Sequence, residues 1–178
     1  MPSLARLDMA MRSWVVAHRL AALTPPLYLL TVLGRFGGIW IVIALGLAAI
    51  GRLSWRDASR VVLTVVLALA ISDYVLKPIV HRSRPFIAAP SVPVVGQRPH
   101  DSSFPSGHAT SSFAGAVSLA RLLPQAAVLW WTLAVAIAYS RIYIGVHYPS
   151  DVVAGAALGI AVALLTETLA RWRAKRIP

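Results

Sequence analysis

Long apolar runs broken by short polar and basic clusters dominate the chain, and the spacing of the breaks predicts helices. One run extends from Phe36 through Ile39-Trp40-Ile41-Val42-Ile43 to about Ile50, and Arg52 and Arg56 follow it. Ser54 and Asp57 have capping-box spacing, with Asp in place of the usual Glu, and predict the start of a helix that carries Val61 to Leu76. Asp73 lies inside this run, four residues before Lys77. An intramembrane carboxylate marks function by default, and a simple intrahelical pair with Lys77 is the alternative. Pro78, His81-Arg82-Ser83-Arg84-Pro85 and a Pro-rich stretch to Phe104 show no helical period. Ser106 starts the next helix, to about Leu122, with Gly107, Ser111 and Gly115 at four-residue spacing as a close-packing face. Beyond Leu123-Pro124 a span runs from Gln125 to about Tyr139. Pro149 opens the last span, which carries Gly155-Ala-Ala-Leu-Gly159 and is closed by Arg171, Trp172, Arg173, Lys175 and Arg176.

The N-terminus is less regular. Residues 1–20 mix Arg6, Asp8, Arg12, His18 and Arg19 with Leu4, Leu7, Met9, Met11, Trp14, Val15 and Val16, the pattern of an interfacial amphipathic helix. Thr24-Pro25-Pro26 then interrupts the apolar stretch Leu20 to Gly34, and the part after Pro26 falls short of the ~20 residues a crossing needs. Two arrangements of residues 7–33 stay open: one broken span, or a surface helix followed by a half-span.

Composition fixes the class. Of 178 residues, 58% are hydrophobic and 13% charged, which predicts an all-α integral membrane helical bundle of about six helices, five clear spans and an unsettled N-terminal one, in a single domain over 1–178. The absence of cysteine excludes disulfides and thiolate metal sites. The net charge of +11 would suggest a nucleic-acid partner in a soluble chain; here the charges punctuate apolar segments, so they read as topology and anion binding, with no nucleic acid. If the 52–56 turn is cytoplasmic, alternation puts Arg121 and the C-terminal cations on the same side. Lys77 to Phe104 and Ser140 to Asp151 then share the opposite face, where Lys77, Arg82, Arg84, Arg98 and Arg141 run against the orienting bias.

On that face, Pro149 at the first helical position puts Asp151 in the first turn, within reach of His147, whose ring it can orient and make more basic. A surface loop with a helix cap is the plain alternative for this stretch alone. Phe104-Pro105-Ser106-Gly107-His108 opens a second helix N-terminus, suited to cradling an anion. With Lys77, Arg84 and Arg141 as fixed cations, the set suits a phosphoryl group. A metal held by His108, His147 and Asp151 is the competing reading, but such an ion would sit among those three cations. His18 reads as interfacial, and His81 and His100 as loop residues that at most contact a head group.

Lys77-x6-Arg84-Pro85, Pro105-Ser106-Gly107-His108 and Ser140-Arg141-x5-His147-x3-Asp151 together resemble the three-part signature of the type 2 phosphatidic acid phosphatase superfamily, the lipid phosphate phosphatases, across residues 77–151. The resemblance implies a six-helix membrane bundle, with the active site near the outer face of the bacterial cytoplasmic membrane. It implies His147 as nucleophile, Asp151 as its orienting partner, and His108 as general acid and later base. Lys77, Arg84, Ser106, Gly107 and Arg141 are implied as phosphate ligands, with no cofactor or divalent metal. A lipid phosphate or diphosphate follows as substrate, of polyprenyl diphosphate, phosphatidylglycerol phosphate or phosphatidic acid type. Two other readings are weighed: a non-catalytic protein that binds or moves lipid head groups, which would not need an oriented nucleophile, and vanadate-dependent haloperoxidase chemistry, whose known bearers are soluble.

Overall fold

The computed structural model describes residues 3–90 and 92–176, which form helices and loops with no strand. The helices are α1 (Leu4–Ala17), α2 (Thr24–Leu33), α3 (Gly38–Ala49), α4 (Trp55–Ala70), α5 (Gly107–Leu122), α6 (Ala127–Tyr143) and α7 (Pro149–Arg176). The side chains of Lys175 and Arg176, two of the C-terminal cations, lie outside the described residues.

Small residues decide what sits at the centre. A Cβ on Gly155 would lie 2.5 Å from the Ser106 carbonyl, and one on Gly159 would lie 2.2 Å from that of Thr110, so α7 packs backbone to backbone on α5. The predicted close-packing face of α5 meets α3, α4 and the link before α3: Gly107 faces Asp73, Ser111 faces Gly37, and Gly115 takes the fully buried Trp40 indole. Enclosed in this way, α5 carries several buried hydroxyls. Ser112 Oγ accepts from Trp40 Nε1 at 3.1 Å, and Thr110 Oγ1 donates to the Ser106 carbonyl at 3.0 Å. Gly159→Val is expected to cost about 3 kcal/mol through overpacking against backbone that cannot move aside, read as a lowered melting temperature in detergent.

Around this centre, Trp55–Ala88, Pro124–Tyr143 and Pro149–Arg173 are each long and apolar enough to cross a membrane. Their outward side chains, among them Leu63, Val66, Val128, Val135, Val153 and Leu165, are exposed. The protein is an integral membrane protein. Ser54 caps α4 as its spacing predicts, accepting from the Asp57 N–H at 3.0 Å. The end of α4 widens into a π-helical turn, Ile71–Leu76, around Asp73, before Lys77–Val80 resumes α-helical geometry.

One expectation changes. The span expected to stop near Tyr139 continues as α6 to Tyr143, so Ser140 and Arg141 belong to its last turn and not to the loop; Ile142 is half-buried and Tyr143 buried, so the chain has no reason to leave the helix earlier. At the N-terminus, α1 turns through 100° into the segment Ala21–Leu33. The two helices are together apolar enough for one span broken at that bend, and the shorter apolar helix α3 follows them. Gly34 lies against Ile137, Gly37 against Val65 and Ser111, and Trp40 against Gly115, in steady descent. The break between α2 and α3 is made by positive φ at Phe36 and Gly37. The helix α1 is amphipathic in an unusual sense: Leu4, Leu7, Met11 and Trp14 are exposed, while Asp8 and Arg12 are buried against the bundle.

Candidate active site

Three helix ends meet at one end of the bundle. The Ser106 N–H donates to the Asp151 carbonyl at 3.0 Å, which ties the start of α5 to the start of α7. The loop Ile144–Tyr148 returns the chain from α6 to α7, with a left-handed Gly145 (φ 88) making the turn. This brings Lys77, Arg84, Gly107, His108, Arg141 and His147 onto the wall of one cavity of ≈ 1030 Å³. Ser106 and Asp151 lie behind that wall, fully buried. At the opposite end of the bundle, Arg121 pairs with Glu167, 3.8 Å from Arg171.

His147 is held on both ring nitrogens. Nδ1 donates to Asp151 Oδ2 at 3.3 Å, and Nε2 lies 3.3 Å from Arg84 Nη1. A guanidinium has no lone pair to offer, so Nε2 must accept, and the proton resides on Nδ1. The structure thus presents a neutral imidazole with a free electron pair directed towards the cations. Asp151 Oδ2 also accepts the Tyr148 N–H at 2.9 Å. Burial lowers the His147 pKa well below 6.5, and Arg84, Arg141 and Lys77 push in the same direction against a smaller opposing effect of Asp101. A depressed value means that the ring stays unprotonated as pH falls through 6.5. The acid limb of kcat/KM is therefore expected below pH 6.5, measured on a substrate whose own ionisation has been subtracted.

His108, in the first turn of α5, donates from Nε2 to the Thr31 carbonyl at 3.0 Å, leaving Nδ1 as its proton-exchanging atom. Arg141 is 5% exposed, and among the described residues its Nε has no hydrogen-bond partner, nor has the buried Ser106 Oγ. Lys77 pairs with Asp73 at 2.8 Å, the alternative the sequence had left beside a functional Asp73. Of the other histidines, His100 lines the cavity, His81 does not, and His18 stacks on Trp14.

Several residues of this region carried no signal in the motifs. Asp101, from the aperiodic loop, bridges Lys77 and Arg84, with Arg84 Nη2 at 2.7 Å. Burial raises its pKa, but hydrogen bonding to Lys77 and the charge of Arg84 outweigh this and bring it to about 2. Arg82 contacts Asp151 and Asp8, and Thr31 holds His108.

The PAP2 superfamily model matches residues 58–175. The undecaprenyl-diphosphatase of Sulfolobus acidocaldarius is 33% identical over 145 residues, 78% of this chain and 68% of that protein. The decaprenylphosphoryl-5-phosphoribose phosphatase of Mycobacterium tuberculosis is 38% identical over 145 residues, 77% of this chain and 76% of that protein. The PAP2 type phosphatidylglycerolphosphate phosphatase of Bacillus subtilis superimposes with a TM-score of 0.76 at 27% identity, covering 96% of this chain and 88% of that one. With its family match, its fold and these relatives in agreement, the chain belongs to the PAP2 superfamily.

Proposed function

We propose that the protein hydrolyses a lipid phosphate or diphosphate at this cavity through a phosphohistidine on His147. The observation that carries the reading is the His147 imidazole, with its proton directed to Asp151 and its lone pair facing Arg84 in a cavity that also presents Lys77, Arg141 and His108. Binding alone needs cations and donors; it has no use for an oriented nucleophile.

In the first step, His147 Nε2 attacks phosphorus and the bond from phosphorus to the leaving oxygen breaks. Protonated His108 gives that oxygen its proton. In the second step, His108 takes a proton from water, the water oxygen attacks phosphorus, and the P–N bond breaks to release phosphate and restore the imidazole. Lys77, Arg84, Arg141 and the Gly107 N–H hold the non-bridging oxygens, Ser106 standing behind them at the start of α5 rather than on the cavity wall, and the cations do the work a divalent metal does elsewhere. The relatives named for undecaprenyl diphosphate and decaprenylphosphoryl-5-phosphoribose favour a polyprenyl substrate, whose tail stays in the bilayer while the head group enters. The whole chain is read as one catalytic domain, in the cytoplasmic membrane of a bacterium, with the cavity at the outer face. The basic 52–56 turn and the Arg121 and Arg171 end support that orientation.

Purified protein in detergent, given polyprenyl diphosphate, phosphatidylglycerol phosphate and phosphatidic acid with chelator present, tests the reading. Phosphate release supports it; no release from any of the three overturns it, and vanadate-dependent halide oxidation would point to peroxidase chemistry instead. In the same assay His81→Ala should change turnover by less than about threefold, since its side chain is exposed and away from the cavity wall.

A further inference from the structure

We propose that Asp8, acting through Arg82, is a positioning residue for the nucleophile: a chain of ion pairs from the N-terminal helix fixes the carboxylate that orients His147. The inference rests on the functional reading above. Neither residue belongs to the three-part signature, and Asp8 lies outside the span matched by the family.

The geometry is continuous. Arg82 Nη1 reaches Asp151 Oδ1 at 2.6 Å and Ser150 Oγ at 2.7 Å, while its Nη2 reaches Asp8 Oδ2 at 2.7 Å. Asp8 is 2% exposed; its Oδ1 accepts the Ser150 N–H at 2.9 Å, and its Oδ2 accepts the Ser150 hydroxyl. The Arg82 guanidinium also lies over the Tyr148 ring, 4.2 Å from its centre. Asp151 is thereby gripped on both oxygens, Oδ1 by Arg82 and Oδ2 by the His147 ring and the Tyr148 N–H. Removing the Arg82 grip would leave this fully buried carboxylate held by Ser103, the Tyr148 N–H and the ring alone, and so loosen the setting of His147.

Charge gives Asp8 a second part. Arg82 and Asp151 alone would form a neutral pair, leaving little negative field at the imidazole. With Asp8 the group of three is net negative, so Asp151 can still stabilise the positive charge that develops on the ring as Nε2 bonds to phosphorus. The N-terminal segment also braces the chain around this loop: Arg12 of α1 donates to the Gly145 carbonyl at 3.0 Å, and Arg19, just after α1, to that of Tyr143 at 2.6 Å. Those bonds account for anchoring. They do not account for a buried aspartate directed at the cation that holds Asp151.

The test uses the full-length protein with Asp8→Asn and Arg82→Lys, and Glu167→Gln at the far end of the bundle as a control for loss of a carboxylate. Phosphate release from polyprenyl diphosphate gives kcat and KM, and vanadate inhibition reports whether the cation pocket is intact. The expected result is a kcat lowered about 10- to 100-fold in both variants, as for other partners that orient a catalytic ring, with KM and vanadate inhibition within about threefold of wild type and Asp8→Glu recovering part of the loss. Unchanged kcat overturns the inference and leaves the functional reading standing. Parallel loss of kcat and vanadate inhibition also overturns it, since α1 would then be shaping the whole pocket. Should Asp8→Asn fail to fold, Arg82→Lys decides alone. A wild-type protein that releases no phosphate overturns the functional reading and this one together.

Discussion

His147→Ala is expected to lower phosphate release by at least ~100-fold, equivalent to about 2.7 kcal/mol of barrier. The imidazole does two things that alanine cannot: it presents an electron pair at Nε2, and it carries the positive charge that develops on bonding to phosphorus, stabilised through Nδ1–H by Asp151. Its surroundings keep that pair free, since burial and three nearby cations disfavour the protonated ring. The cations do not leave with it, so the variant should still bind vanadate and lipid. Wild-type protein quenched during turnover should carry an acid-labile phosphoryl group that the variant lacks. Near-normal turnover in folded His147→Ala would show that another atom attacks phosphorus.

Arg141→Ala carries the second large effect, a loss of ~100- to 1,000-fold in kcat, the range seen when a preorganised donor to a developing oxyanion is removed. The residue is buried in the last turn of α6, its Nε has no hydrogen-bond partner among the described residues, and Asp101 pairs with Lys77 and Arg84 instead. A buried cation without a carboxylate partner costs folding free energy. Its removal should therefore leave the melting temperature unchanged or raise it, while activity collapses. Arg84 makes the opposite case, because alanine there would take one of its two cations from Asp101 and remove the donor to the carbonyls of Asp101, Ser102 and Val146, so stability and activity should fall together. Measuring melting and turnover on both variants separates a charge kept for substrate from one that also holds the fold.

The layout of the bundle was legible where local rules and lipid act alone. Ser54 and Asp57 announced a capped helix, and the polar clusters at 77–85, 104–108 and 140–151 stood out because apolar segments flank them. Partners distant in sequence were not legible. Asp8 and Arg12 are four residues apart on α1 and look like a local pair, yet Asp8 binds Arg82 and Ser150 while Arg12 binds the Gly145 carbonyl. Their setting held a usable clue: two charges on one stripe of a helix that carries Leu4, Leu7, Met11 and Trp14 on a neighbouring stripe imply a polar face turned to protein when lipid lies on the other side. Asp101 was hidden for another reason, since an aperiodic loop has no pattern that assigns its side chains a direction. The break between α2 and α3 rests on left-handed Phe36 and Gly37; the Gly37-Gly38 pair hints at it, but phenylalanine in that conformation has no sequence signature.

The bridge from Asp101 to Lys77 and Arg84 means that an arriving head group meets a site already held by an anion. Entry is then an exchange, and its driving force is the difference between the incoming charge and one carboxylate that stays ionised at any physiological pH. A terminal phosphate or diphosphate, carrying close to two negative charges or more, wins that contest. The phosphodiester of an ordinary phospholipid brings a single charge, so beyond contact with Arg141 it gains little by displacing its equal. A membrane enzyme bathed in its own commonest anion could in this way keep bulk lipid out of its pocket without a steric barrier.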